Sequence, residues 1–149
     1  SSQPDASIPQ DYLSRTFYER FTRALPDEQH TCSVTDRLQI AIPNPVAEDR
    51  ELWISMDRDE VTVGIGQYHH RHFSFYNYGD APTDEVMSTI INESIEFIQD
   101  LLSDQIIIRV FFDGDRICGS STGDDHVFTP SSSRISCKDI TWTGELQPR

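Results

Sequence analysis

Between Leu38 and Tyr76, apolar and polar residues alternate in four successive runs, and a period of two confines this part of the chain to half-buried β-strands. Leu38, Ile40 and Ile42 alternate with Gln39 and Ala41, and Leu52, Ile54 and Met56 with Trp53 and Ser55. Val61, Val63 and Ile65 then alternate with Thr62, Gly64 and Gly66, and Phe73 and Phe75 with His72, Ser74 and Tyr76. The breaks carry turn chemistry: Pro43-Asn44-Pro45 with a loop through Glu48 to Arg50, then Asp57-Arg58-Asp59. Such runs suit antiparallel strands with one buried face.

Two stretches change to a helical period. Leu13, Phe17, Phe21 and Ala24/Leu25 form one apolar stripe after Pro9 and Gln10, and Pro26 stops it by pushing Leu25 out of the α region. Asp27 to Thr31 reads as a loop. From Thr83 to Leu102, Val86, Met87, Ile90, Ile91, Ile95, Phe97, Ile98, Leu101 and Leu102 make a broad apolar face opposite Glu93, Glu96 and Asp100. Pro82 at the entry and Asp84 and Glu85 in the first turn suit a helix start. Ile106 to Phe112 then reads as a strand, Asp113-Gly114 as a hairpin turn into Arg116 to Ser120, Gly123 to Ser133 as a polar loop, and Arg134 to Leu146 as a last strand around Ile135, Cys137, Ile140 and Trp142. The expected architecture is an α+β two-layer sandwich, a mostly antiparallel sheet with two helices on one face, in the order α-β-β-β-β-α-β-β-β. Residues 1–7 are expected to be a flexible segment and 8–149 a single domain.

The chain has 149 residues, one domain's length, and its net charge of −13 argues against nucleic acid or an anionic membrane as partner. Residues 1–26 are neutral, so the excess lies in the remainder, where it favours attraction to basic partners. The dispersed acids, among them Asp80, Asp104, Asp113, Asp115, Asp124 and Asp125, read mostly as a solvated surface. The three cysteines (Cys32, Cys118, Cys137) have no C-x-x-C spacing and read as reduced thiols; Cys118 and Cys137 can pair only if their strands are neighbours. No apolar run approaches the ~18 residues of a membrane-spanning helix. With no leader pattern after Ser1, the cytoplasm is the expected compartment, and a removed leader stays open because the chain does not begin at Met.

The chemistry-bearing candidates gather in Gly64-Ile65-Gly66-Gln67-Tyr68-His69-His70-Arg71-His72-Phe73. If Phe73 and Phe75 face the helices, parity sends His70 and His72 to the other face, beside Thr62, Gly64 and Gly66. That gives a strip floored by glycine backbone and flanked by two imidazoles, with His69 and Arg71 forming the hairpin bend. An exposed polar hairpin is the plain alternative. A metal reading rests on His70 and His72 alone; the third ligand would come from Asp57, Asp59 or His126, and the spacing selects none. No cofactor is implied. There is no G-x-S-x-G, H-E-x-x-H, P-loop or dinucleotide fingerprint, Asp57 and Asp59 read as a solvated turn, and Gly119 to Gly123 leads into acids and not into a helix start. A binding protein is therefore favoured over an enzyme. Trp142-Thr143-Gly144 holds the other candidate, Trp142, as either a core plug or an anchor in a protein contact.

The order Glu60-Val61-Thr62-Val63-Gly64-Ile65-Gly66, then His70-Arg71-His72-Phe73, then a long acidic amphipathic helix resembles small immunity-type proteins of bacterial polymorphic toxin systems. In those, a V-T-V-G-F-G-like strand leads to an H-x-H-F element, and a strand pair and a late S-W-x-G element follow; here Ile107 to Ser120 and Thr141-Trp142-Thr143-Gly144 correspond. The resemblance spans residues 50–145, departing at Ile65 where an aromatic is usual and at Thr141 where serine is usual. It implies a non-enzymatic inhibitor that binds a cognate toxin, a basic protein, and blocks it. The expected binding residues are His70, His72, Gly64, Gly66, Asp57, Asp59 and Trp142. The alternatives are a metal-binding domain or metal-dependent enzyme centred on His70 and His72, and a secretion-chaperone-like homodimer.

Overall fold

The computed structural model describes residues 11–34, 37–57, 59–79, 81–122 and 134–146. Helix α1 (Tyr12–Ala24) begins where the Asp11 carboxylate accepts the Ser14 N–H at 3.0 Å. It buries Leu13, Phe17 and Phe21, and Leu25 before Pro26 caps its end. Five strands follow: β1 (Thr31–Val34), β2 (Leu38–Ile42), β3 (Leu52–Met56), β4 (Glu60–Ile65) and β5 (His69–Ser74). They pair antiparallel in chain order. Helix α2 (Asp84–Leu102) starts at Thr83, whose hydroxyl accepts the Val86 N–H at 3.2 Å. The chain ends in β6 (Ile108–Asp113), β7 (Arg116–Thr122), β8 (Ile135–Ile140) and the two-residue β9 (Glu145–Leu146), which form a second antiparallel sheet in the order β7-β6-β8-β9.

The fold is α+β, with three differences from the expected architecture. The last expected strand, Arg134 to Leu146, is two strands, β8 and β9, with Trp142 in the turn between them. β1 is an added edge strand, too short at four residues for alternation to reveal it. The strands also divide into two sheets, because period two identifies the buried face of a strand but not its neighbours. Strand β5 stops at Ser74, whose hydroxyl accepts the Tyr76 N–H; a 3-10 turn (Phe75–Asn77) follows, so Phe75 lies outside the strand.

Leu38, Ile40, Ile42, Leu52, Ile54, Met56, Val61, Val63, Ile65 and Phe73 all point to one face of the first sheet and are fully buried. They share one core with the apolar faces of α1 and α2, with Ile108, Val110 and Ile140 of the second sheet, and with Trp142 of the β8–β9 turn. Arg20 of α1 ties the helices together by donating to Ser88 Oγ at 2.8 Å and Asn92 Oδ1 at 3.0 Å.

Polar contacts join the two sheets, and tie the end of α2 to the β8–β9 turn, around this core. His69 Nδ1 meets Ser120 Oγ at 2.8 Å, and Asn44 Nδ2 donates to the Trp142 carbonyl at 2.7 Å. Arg50 Nη1 donates to the Gly144 carbonyl at 3.0 Å, while its buried Nε has no hydrogen-bond partner among the described residues. Asp104, in the left-handed region (φ 61°) just past α2, accepts the Thr143 N–H at 2.8 Å and the Thr143 hydroxyl.

Burial raises the Asp104 pKa, but the Thr143 hydroxyl and N–H and the Thr141 hydroxyl outweigh it and hold the carboxyl below its ordinary 3.8. A depressed folded-state pKa means the contact stabilises fully above the ordinary value and is lost as pH falls through the lowered one. Asp104→Asn tolerates the same backbone conformation. It is expected to lower the melting temperature at pH 7 and to flatten its decline between pH 5 and 3. Parallel melting curves for the two proteins across that range would show this joint to be inert.

Candidate functional site

The strand register assembles the outer face of the first sheet in two rows. One runs Thr31, Ala41, Trp53, Gly64, His70, and the other Ser33, Gln39, Ser55, Thr62, His72. Thr31, Ser33, Gln39, His70 and His72 are exposed, and Ala41, Trp53, Ser55 and Thr62 are half-buried. In a chain of net charge −13, neither row holds an Asp, Glu, Lys or Arg. Carboxylates stand at the two ends: Glu51 before Trp53 on β3, and Glu60 with the Asp57–Glu60 turn beyond Ser55.

Trp53 sits at the centre because its cross-strand neighbour is glycine. The indole lies over Gly64, where a Cβ would come within 2.1 Å of its Cε2 and Cζ2, and Nε1 donates to the Gly66 carbonyl at 3.0 Å. His70 follows at 6.4 Å between ring centroids and meets His72 edge-on at 5.1 Å. His72 Nδ1 lies 3.0 Å from Thr62 Oγ1 and 3.2 Å from Glu60 Oε2. The outcome is a continuous Trp53–His70–His72 aromatic row with preset ring positions.

Parity thus places His70 and His72 together on the outer face. The glycine-floored strip, however, does not form. Gly64 is roofed by Trp53, while Gly66 (φ 52°) lies in the β4–β5 turn, where a Cβ would meet the Asp49 carbonyl oxygen at 2.0 Å. The bend is Gly66 to Tyr68; His69 and Arg71 lie within β5 on its core-facing side. There Arg71 stacks its guanidinium over Phe73 and Phe97, 4.9 and 5.3 Å from the ring centroids. Asp57 and Asp59 belong to the β3–β4 turn at the Glu60 end, and the Asp57 N–H donates to the Glu60 carbonyl at 2.8 Å.

Trp142 is corrected as a binding residue: it is 4% exposed and packed into the common core, out of a partner's reach. Cys118 and Cys137 are not on neighbouring strands, because β6 lies between β7 and β8, and both are free thiols. Burial raises the Cys32 thiol's pKa. Among the described residues no group of three or more His, Cys, Asp or Glu is placed to hold a metal; His126, Asp124, Asp125 and Asp80 lie outside them. Also among the described residues, no helix is long and apolar enough to cross a membrane.

A second acidic feature lies elsewhere. Glu93, Glu96 and Asp100 of α2 line a cleft of about 450 Å³ with Arg71 and Phe97, away from the outer face. The sequence reading singles out the histidines but not Trp53 or Glu51. The available signal was a tryptophan at a polar position of an alternating strand. Compared with protein-family models, curated proteins and solved structures, the chain matches none.

Proposed function

We propose that this protein is a non-enzymatic binding module that inhibits a basic protein partner, in the manner of an immunity protein neutralising a bacterial toxin in the cytoplasm. The observation that carries the reading is the exposed outer face of the five-stranded sheet, where an indole and two imidazoles are held in fixed positions on an uncharged surface. Rigid aromatic groups are the side chains that anchor protein contacts, since they bury large area at small entropic cost. The acids divide from this face in a useful way. Those on α2 and in the turns supply a long-range field that draws a basic partner in, while the uncharged rows make contact without desolvating a charge.

The test is to recover the partner by co-purification and to measure association kinetics against salt. A net basic partner whose association rate falls roughly tenfold or more from low to physiological salt is the expected result. Association indifferent to salt sinks the electrostatic half of the proposal.

The same uncharged face favours one other reading, a homodimer of the secretion-chaperone kind. Sedimentation of the isolated chain separates the two: a monomer at micromolar concentration is expected, and a dimer that is lost on substituting Trp53 would reverse the preference.

A further inference from the structure

We infer that the trough beside Trp53 is an arginine site, seating one guanidinium of the partner protein; the inference rests on the basic-partner reading above and names the group that reading leaves open. The trough, about 280 Å³, lies on the β1 side of the indole. Ala41, directly across from Trp53, leaves room for it. Thr31 and Ser33 of the edge strand form the opposite wall, with Gln39 and Ser55 toward one end. Glu51 closes the other end, exposed and in no ion pair with a described residue.

These groups select a ligand by elimination. The indole N–H is already spent on the Gly66 carbonyl, so Trp53 offers a π surface and no donor. An anion would be repelled by Glu51 and by the chain's net charge. A purely apolar group would leave the carboxylate and the hydroxyls unmatched. A planar cation suits all of them: it stacks on the indole, pairs with Glu51 and presents further N–H groups to the hydroxyl and amide oxygens. Guanidinium does this better than ammonium, being planar, weakly hydrated and rich in donors. The volume takes a single side chain. Because Gly64 and the Gly66 carbonyl fix the indole beforehand, little ordering is left for binding to impose.

The experiment titrates the isotope-labelled protein with N-acetyl-arginine methylamide and with its citrulline counterpart, the uncharged planar analogue. The Trp53 indole N–H and the Thr31 to Ser33 amides are followed by NMR. The arginine compound is expected to shift these signals and to bind at least tenfold more tightly than citrulline. Glu51→Gln, an exposed substitution, is expected to erase that preference while the rest of the spectrum is retained. Equal response to the two compounds, a response unchanged in Glu51→Gln, or shifts confined to Glu93 to Asp100 would each overturn the site. Two outcomes with the recovered partner separate this inference from the reading beneath it. A basic partner that keeps full affinity after each of its arginines is replaced overturns the site and leaves the binding module standing. Arginine capture at Trp53 alongside a partner that is not basic upholds the site and overturns the basic-partner reading.

Discussion

Trp142→Ala is expected to remove about 3–5 kcal/mol of stability, the loss typical of deleting a fully buried large aromatic. Trp142 is 4% exposed and shares the core with Ile108, Val110 and Ile140 of the second sheet and with the strands of the first. Its loss therefore opens a cavity at the joint between the sheets. Repair by collapse is restricted, because the backbone there is held by Asn44 on the Trp142 carbonyl and by Arg50 on the Gly144 carbonyl. Domains of ordinary stability have about 5–15 kcal/mol in total, so the variant should sit near the edge of folding. At about 2–4 °C per kcal/mol for a chain of this size, the melting temperature should fall by about 10 °C. Denaturant midpoints and melting curves check this together. A loss below about 1 kcal/mol would mean that the core does not pass through Trp142 as described.

The other tryptophan is expected to behave oppositely. Trp53→Ala should weaken partner binding by at least about 2 kcal/mol, roughly thirtyfold, the threshold of an interface hot spot. Its stability cost should stay near 1 kcal/mol, since the indole is half-buried and its chief polar tie is one hydrogen bond to Gly66. Calorimetric titration of the partner into both proteins, with melting curves alongside, gives the two numbers. Unchanged affinity in a folded Trp53→Ala protein would remove the outer face from the contact. A stability loss as large as that of Trp142→Ala would make Trp53 a structural residue.

That contrast also marks what the chain discloses by itself. Alternation places Leu38, Ile54, Val63 and Phe73 inside and His70 and His72 outside, because side-chain direction in a strand is local. It also puts Trp53 on the histidines' side, yet not beside them: that depends on Trp53 pairing with Gly64 and Gly64 with His70, which is register. Gly66 reads like Gly64 in sequence, but its left-handed backbone and its approach to the Asp49 carbonyl arise from how the turn packs. Arg71 carries no local sign that its guanidinium will cover Phe73 and Phe97, since Phe97 comes from α2. Trp142 shows the same limit: it lies in the turn between β8 and β9, where no strand parity applies, and only the assembled core covers it. The helices were more legible, as the spacings of Leu13, Phe17 and Phe21 and of Ile91, Ile95 and Ile98 define faces without reference to any partner.

Side-chain oxidation footprinting of the partner complex tests the central claim most directly, because indole and imidazole side chains report the outer face themselves. The expected result is that Trp53, His70 and His72 are oxidised several-fold more slowly in the complex than alone, with exposed Tyr76 unchanged. Unaltered rates at those three residues, with protection instead at Tyr78, whose hydroxyl donates to Glu93 at the acidic cleft, would contradict it and move the contact to α2.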